Sequence, residues 1–234
     1  TNDVSGDIPA DSHVNNFEAT QLASGQNGCD ETGDGNNEAN CSIGDGSTNN
    51  IDEVTQLNQV TDADSAAQLN NISSIQLLDL QNDCDESGVG ENAAECGYDT
   101  DNFVQAISQG NNAGVGDDFV QNNLVAISQD INAQNNCDES GDGSNALPTG
   151  SCDSALTNNI LAVTQSNGAF GSDSSDISQG NHITSMNQDI IADNTCDQSG
   201  PGDNLARCIN DAENGIAPIS QENSATADLF SDIT

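Results

Sequence analysis

The sequence predicts an all-β chain: a β-solenoid of about four stacked repeats of roughly 55 residues, carrying disulfide-stapled loops. Three observations predict it. A cysteine loop recurs four times at near-constant spacing, strict period-two alternation appears between the loops, and Gln and Asn return to the same strand positions in each copy.

The loops read CDETGDGNNEANC (29–41), CDESGVGENAAEC (84–96), CDESGDGSNALPTGSC (137–152) and CDQSGPGDNLARC (196–208), with first cysteines 55, 53 and 59 residues apart. The eight cysteines thus form local pairs, Cys29/Cys41, Cys84/Cys96, Cys137/Cys152 and Cys196/Cys208. An even count at regular spacing reads as a disulfide framework, with local pairing favoured over pairing between neighbouring loops. Zinc would need tighter spacing or supporting histidines, and His13 and His182 stand apart from the cysteines.

After each loop comes a segment termed strand A: VTQLNQV (54–60), ISQGNNA (107–113), VTQSNGA (163–169) and ISQENSA (219–225). A Val or Ile is followed at alternate positions by Gln, Asn and a small or β-branched residue. Period two places all four on one face of a strand, whereas a helix would need spacings of three and four. A second segment, strand B, precedes each cysteine loop. Phe119, Gln121, Asn123, Val125, Ile127, Gln129 and Ile131 share one of its faces, and Ile177, Gln179 and Asn181 repeat the start of that series. The Gly/Asp/Ser stretches between A and B, NAGVGDD (112–118) and GAFGSDSSD (168–176), read as turns.

Amides on an inward face are costly to bury unless each finds a partner. Stacked copies supply the partner, because each side-chain amide can bond to its equivalent one strand spacing away, about 4.8 Å. The expected ladder core is Gln56, Gln109, Gln165 and Gln221 in one column and Asn58, Asn111, Asn167 and Asn223 in the next.

The organisation expected is one domain over 1–234, with a half-repeat at 1–28, repeats at 29–83, 84–136 and 137–195, and a final partial repeat at 196–234. Residues 1–28 read as a degenerate strand B, and the last residues stop on a strand A. Complementary half-repeats of this kind suit head-to-tail stacking, a heterologous contact that generates an open filament.

Composition sets the limits. Asp and Glu number 39 against one basic residue, Arg207, for a formal charge of -38. With 33% hydrophobic residues this approaches the composition of a disordered chain, and the periodicity and the cysteines argue for order against it. Neutralising phosphates takes Lys and Arg, so nucleic acid is excluded as a partner and cations are expected. No apolar run is long enough to span a bilayer, so no membrane insertion is expected. There is no G-x-S-x-G, H-E-x-x-H or P-loop, and an enzyme is not expected.

Stretches such as ISQGNNAGVGDDFVQNNLVAISQ (107–129) resemble curlin repeats, in which Gln, Asn, Gly and Ala recur on strand–turn–strand units. The chain departs from that family in its longer unit and its cysteine loops. The resemblance implies a secreted β-solenoid subunit that stacks with copies of itself into an extracellular fibre for adhesion or biofilm matrix.

The cysteine loops carry a second chemistry. Asp30, Thr32 and Asp34 precede Gly35, and Asp138, Ser140 and Asp142 precede Gly143, as oxygen ligands precede the glycine of calcium loops. Val89 and Pro201 replace the third ligand in the other two loops, and Cys41 stands where a bidentate Glu belongs in the first. Ca²⁺ is therefore a candidate cofactor at two loops only, and a tight Asp/Gly turn is the competing reading. Asn40 and Asn71 lie in N-x-S sequons and are candidate glycosylation sites. Tyr98, beside Cys96, either packs on the disulfide or stays solvated. The function expected is a structural subunit of an extracellular filament at the cell surface or in the secreted matrix. The alternative is a calcium-dependent adhesin or an acidic surface-layer component.

Overall fold

The structure is a computed structural model that describes residues 2–8, 11–63, 65–89, 92–141, 152–200, 208–227 and 232–233. Every described element is a strand, and every strand pairing is parallel. In order they are β1 (Asn2–Ile8), β2 (Asp11–Asp34), β3 (Asn37–Ile51), β4 (Val54–Ala63), β5 (Ser65–Val89) and β6 (Asn92–Val104). Then follow β7 (Ile107–Gly141), β8 (Cys152–Ile160), β9 (Val163–Ser199), β10 (Cys208–Ile216), β11 (Ile219–Ala227) and β12 (Asp232–Ile233).

Strand A does pair in register from copy to copy. Val54 lies beside Ile107, Ile107 beside Val163, and Val163 beside Ile219. Strand B does the same: β2 pairs with β5, β5 with 118–141 of β7, and that segment with 176–199 of β9. Parallel neighbours normally need a long crossover. Here the crossover from one strand to its neighbour is the rest of the copy, itself made of strands.

Three features differ from the sequence expectation. First, each copy has a third strand, C, between the cysteine loop and strand A. β3, β6, β8 and β10 form a separate four-stranded sheet. Its members, such as CGYDTDNFV and CDSALTNNI, share few residue types beyond the leading Cys, an Asn and a terminal aliphatic, so identity alone does not reveal them. Second, β7 and β9 run unbroken through the segments expected to be turns. Backbone pairing between β7 and β9 continues into the bend, with register shifts between Ala113 and Val115 and between Gly116 and Asp118 absorbing the length differences, whereas pairing to β4 and β5 breaks between Ala113 and Asp118. Third, residues 2–8 are not part of a strand B. They pair with β4, putting Asn2 beside Asn58, so the expected half-repeat at 1–28 is divided between an A-type strand and the start of β2.

The layers follow from the side-chain bonds. Strand B forms one layer; its first half faces strand A and its second half faces strand C. Asn58 reaches Asn70 across the A–B gap, and Gln76 reaches the carbonyls of Asn49 and Phe103 across the B–C gap. Strands C and A continue one another in the opposite layer, separated only by two-residue breaks such as 105–106.

Apolar and amide zones alternate along this flat interior. Phe119, Ala113 and Ala169 fill the A–B bend, and Ile72, Val104, Ile107, Val125, Ile127 and Ile160 fill the junction of C and A. Leu78, Ile131, Leu156 and Tyr98 pack between B and C, and a cystine cluster closes the far end. Between these zones sit Gln and Asn columns. A thin core of this kind buries few large side chains, so satisfied amides must complete it.

Candidate functional site

The amide columns are the most ordered chemistry in the molecule. Gln165 donates to Gln109, which donates to Gln56, and Gln221 donates to Gln165, at 2.9, 3.0 and 2.7 Å. Asn58 donates to Asn111, Asn111 to Asn167 and Asn167 to Asn223, at 3.0, 2.9 and 3.0 Å. All eight expected ladder residues therefore stand in two continuous columns.

Each amide also spends an N–H on a backbone carbonyl of the facing layer. Gln109 donates to Leu124 and Asn111 to Asn122. The amide oxygen accepts from the column while the nitrogen serves both column and facing layer, so desolvation is offset bond for bond.

Further columns lie in strands B and C. They run through Gln68, Gln121 and Gln179; through Asn15, Asn70, Asn123 and Asn181; through Gln21, Gln76, Gln129 and Gln188; and through Asn82, Asn135 and Asn194. Strand C adds Asn49, Asn102, Asn158 and Asn214. Three of the B columns, those of Gln121, Asn123 and Gln129, were visible in the alternation of 119–131, and that of Asn135 lay beyond it. The C column was hidden, and its one legible signal is the Asn placed two residues before the aliphatic that ends each C strand.

The Asn columns of A and B interlock. Asn58 donates to Asn70, Asn70 to Asn111, Asn111 to Asn123, Asn123 to Asn167 and Asn167 to Asn181, a zigzag across the two layers.

Direction is the less expected feature. In the three inward Gln columns every link donates from a later copy to an earlier one, whereas in the four inward Asn columns every link donates from an earlier copy to a later one. The stack is therefore polar at the level of its side chains.

The cysteines continue the columns. Cys29, Cys84, Cys137 and Cys196 are in register, as are the backbones of Cys41, Cys96, Cys152 and Cys208. Disulfides join Cys84 to Cys96 and Cys196 to Cys208, and Cys29 and Cys137 are also disulfide-bonded. The side chains of Cys41 and Cys152 lie outside the described residues. Cys84 and Cys96 are wholly buried, so the bridge is part of the core and not only a clip on a loop.

The glycine of the C-D-x-(S/T)-G motif has a steric reason. Gly88, Gly141 and Gly200 have φ of 153°, 150° and 148°, a region that L side chains avoid. A Cβ on Gly141 would also collide with the carbonyl oxygen of Gly88 in the adjacent copy.

The candidate calcium residues have a different setting from a calcium loop. Asp30, Thr32 and Asp34 lie on extended β2, and their backbones pair with Asp85, Ser87 and Val89. They are not wrapped about a common centre, because in-register pairing holds this stretch straight. Asp138 and Ser140 pair likewise, and Asp142 lies outside the described residues. Among the described residues no group of three or more His, Cys, Asp or Glu could hold a metal ion.

Asp30, Asp85, Asp138 and Asp197 instead form a column of like charges. Partial burial pushes the carboxyl of Asp138 up from its ordinary value, and the charges of Asp85, Asp197 and Asp83 push the same way. Elsewhere acidic residues alternate with amides: Asn132 donates to Asp79, Asn136 to Asp83 and Gln105 to Asp52. These amides supply hydrogen-bond donors to the carboxylates without neutralising their charge.

Tyr98 is buried, its hydroxyl donating to the Gln134 carbonyl at 2.7 Å, and burial raises its pKa well above the usual phenol range. Asn71 is half-buried and donates to Asn16, while the Asn40 side chain lies outside the described residues. His13 is buried and His182 exposed.

Comparison with protein-family models, with curated proteins and with solved structures finds no match for this chain.

Proposed function

We infer that this chain is a structural subunit of an extracellular filament, in which its A–B–C copies are coils of a β-solenoid and successive subunits stack head to tail. One observation carries the reading. The columns continue undiminished to the last described strands and stop there in the open. Ile160 and Val163 are fully buried, while their column neighbours Ile216 and Ile219 are 48% and 45% exposed. Gln221 and Asn223 are likewise exposed on β11, which pairs on one side only.

A face made of unpaired backbone, aliphatics and ladder amides is a template for another strand. A further coil would bury it with the same chemistry used three times along the strand A columns. Several disulfides require an oxidising compartment for their formation, which supports a location outside the cell. The large negative charge opposes association at low ionic strength, so cations assist assembly by screening.

Electron microscopy and fibre diffraction of the purified chain across a salt series test this function. Filaments with a repeat of about 4.8 Å along the axis, more abundant at higher salt, are expected. Monodisperse particles at every ionic strength would overturn the reading. For cell attachment, adhesion or matrix formation should be lost when the chain is removed from the producing cell and restored when it is supplied.

A further inference from the structure

The two outer faces of the stack are not equivalent, and their difference specifies a junction. On the face formed by β10, β11, β12 and the rest of the outer edge of β9, the Gln columns end on acceptors. Gln188 and Gln221 spend their N–H groups inward on Gln129 and Gln165, leaving Oε1 at the end of each column. On that face the Asn columns end on donors, since the Asn214 oxygen accepts from Asn158 while its amide nitrogen donates to the Gln188 carbonyl and carries a second N–H. At the opposite face the order is reversed. Gln76 donates to Gln21, whose own amide donor heads the column, and Asn49 donates to Asn102, leaving the Asn49 oxygen at the head. Opposite faces complement each other donor to acceptor; like faces set donor against donor and acceptor against acceptor.

Register adds a second constraint. Extending every column by one step beyond β9 and β10 seats β2 and β3 of a second copy on them, with the start of β2 taking the place that β12 holds beside Ile177. In that same step the position beside β4 of the second copy coincides with β11 of the first. Within one chain that position is held by β1, which pairs with β4 only from Asn58 onward. β11 carries the full strand A pattern, and it pairs with β9 at Val163, Gln165, Asn167 and Ala169. The equivalent columns of β4 begin at Val54 and Gln56, which pair with no described strand on the side away from β7, although Val54 is half-buried and Gln56 buried.

Resting on the filament reading above, we propose that subunits join in one direction only, with β11 of one copy docking on β4 of the next in the place that β1 occupies within a single chain. The occupant of the β4 edge is therefore a second copy of this chain. Gln56 of the incoming copy donates to Gln221, and Asn223 donates to the incoming Asn58, extending both columns with their internal polarity.

The double variant Thr55→Cys/Ser220→Cys tests this. Both positions are exposed, and they belong to one outward column through Ser108 and Thr164. At the junction they become adjacent, roughly 4.8 Å apart, within the range a disulfide spans. Inside one chain they stand three strand spacings apart, so a bridge between them is necessarily intermolecular. Mild oxidation of assembled filaments should convert most of the double variant into a covalent ladder on non-reducing gels, with neither single variant cross-linking. Filaments that form without the ladder would overturn the β11–β4 junction while leaving the filament function standing. Dimers of the Thr55→Cys single variant would reveal like faces in contact and overturn the polarity. Absence of filaments altogether would remove both.

Discussion

The copy that contains β8 and the start of β9 and the copy that contains β10 and β11 have nearly the same pattern and opposite surroundings. Asn158, Ile160, Val163 and Gln165 are buried in the first; Asn214, Ile216, Ile219 and Gln221 are open to solvent in the second. The residues encode a column, and only a neighbour above and below turns that column into a core. Stability in such a stack is a sum over contacts between adjacent copies, so equal substitutions should have unequal effects at the two levels.

The largest contrast is expected for the amides. Asn111→Leu removes the partner of Asn58 and Asn70 and leaves their donors buried, so a loss of about 3 kcal/mol is expected from urea unfolding. Asn223→Leu, at the open level, should change the same measurement by less than about 0.5 kcal/mol. Equal losses would show that the last copy is already covered in solution.

The disulfides sharpen the comparison next. Both Cys84–Cys96 and Cys196–Cys208 close loops of sequence separation 12. Chain entropy alone therefore predicts the same loss, about 2–3 kcal/mol, when each pair is changed to serine. Any excess for the buried Cys84–Cys96 pair measures the packing of the cystine cluster, and hydrogen exchange should show protection lost in the adjacent copies.

Aliphatic truncation follows. Ile160→Val should cost about 1 kcal/mol, and Ile216→Val almost nothing in the dispersed chain. In filaments Ile216→Val should acquire the larger value, because assembly buries it.

The smallest effect is electrostatic. The carboxyl of Asp138 is raised in the folded state, so the native fold binds its proton more tightly than the unfolded chain does. That stabilisation is fully present below the ordinary carboxylate pKa and is lost as pH rises through the raised value. Asp138→Asn should increase stability at neutral pH by less than about 1 kcal/mol, water screening most of the repulsion, and should flatten the dependence on the acid side.

Legibility in the sequence followed repetition. Strand A could be read because Gln and Asn return at fixed positions in 54–60, 107–113, 163–169 and 219–225. Strand C was missed because its columns mix residue types: Tyr98 stands beside Ser154, and Thr100 beside Leu156. Burial holds such pairs together without leaving a repeated letter. The turns were misread for a related reason. Gly, Asp and Ser mark a bend, but a bend whose backbone is bonded to the next copy can remain a strand through Ala113 and beyond. The Asp-rich loop starts suggested calcium because spacing alone does not tell a wrapped loop from an extended strand; the pairing of Asp30 with Asp85 does.

By itself the sequence determined the all-β class, the cysteine spacing, the strand A columns and the single basic residue, Arg207, set against 39 acidic ones. Each of these is local, or repeats at a distance that alignment of the chain with itself reveals. The tertiary structure alone decided that A and C lie end to end opposite B, that the Cys84–Cys96 cystine is buried, and that Gln and Asn columns run in opposite directions. Those depend on which carbonyl of the facing layer takes each amide's second N–H, a contact between segments with no common pattern.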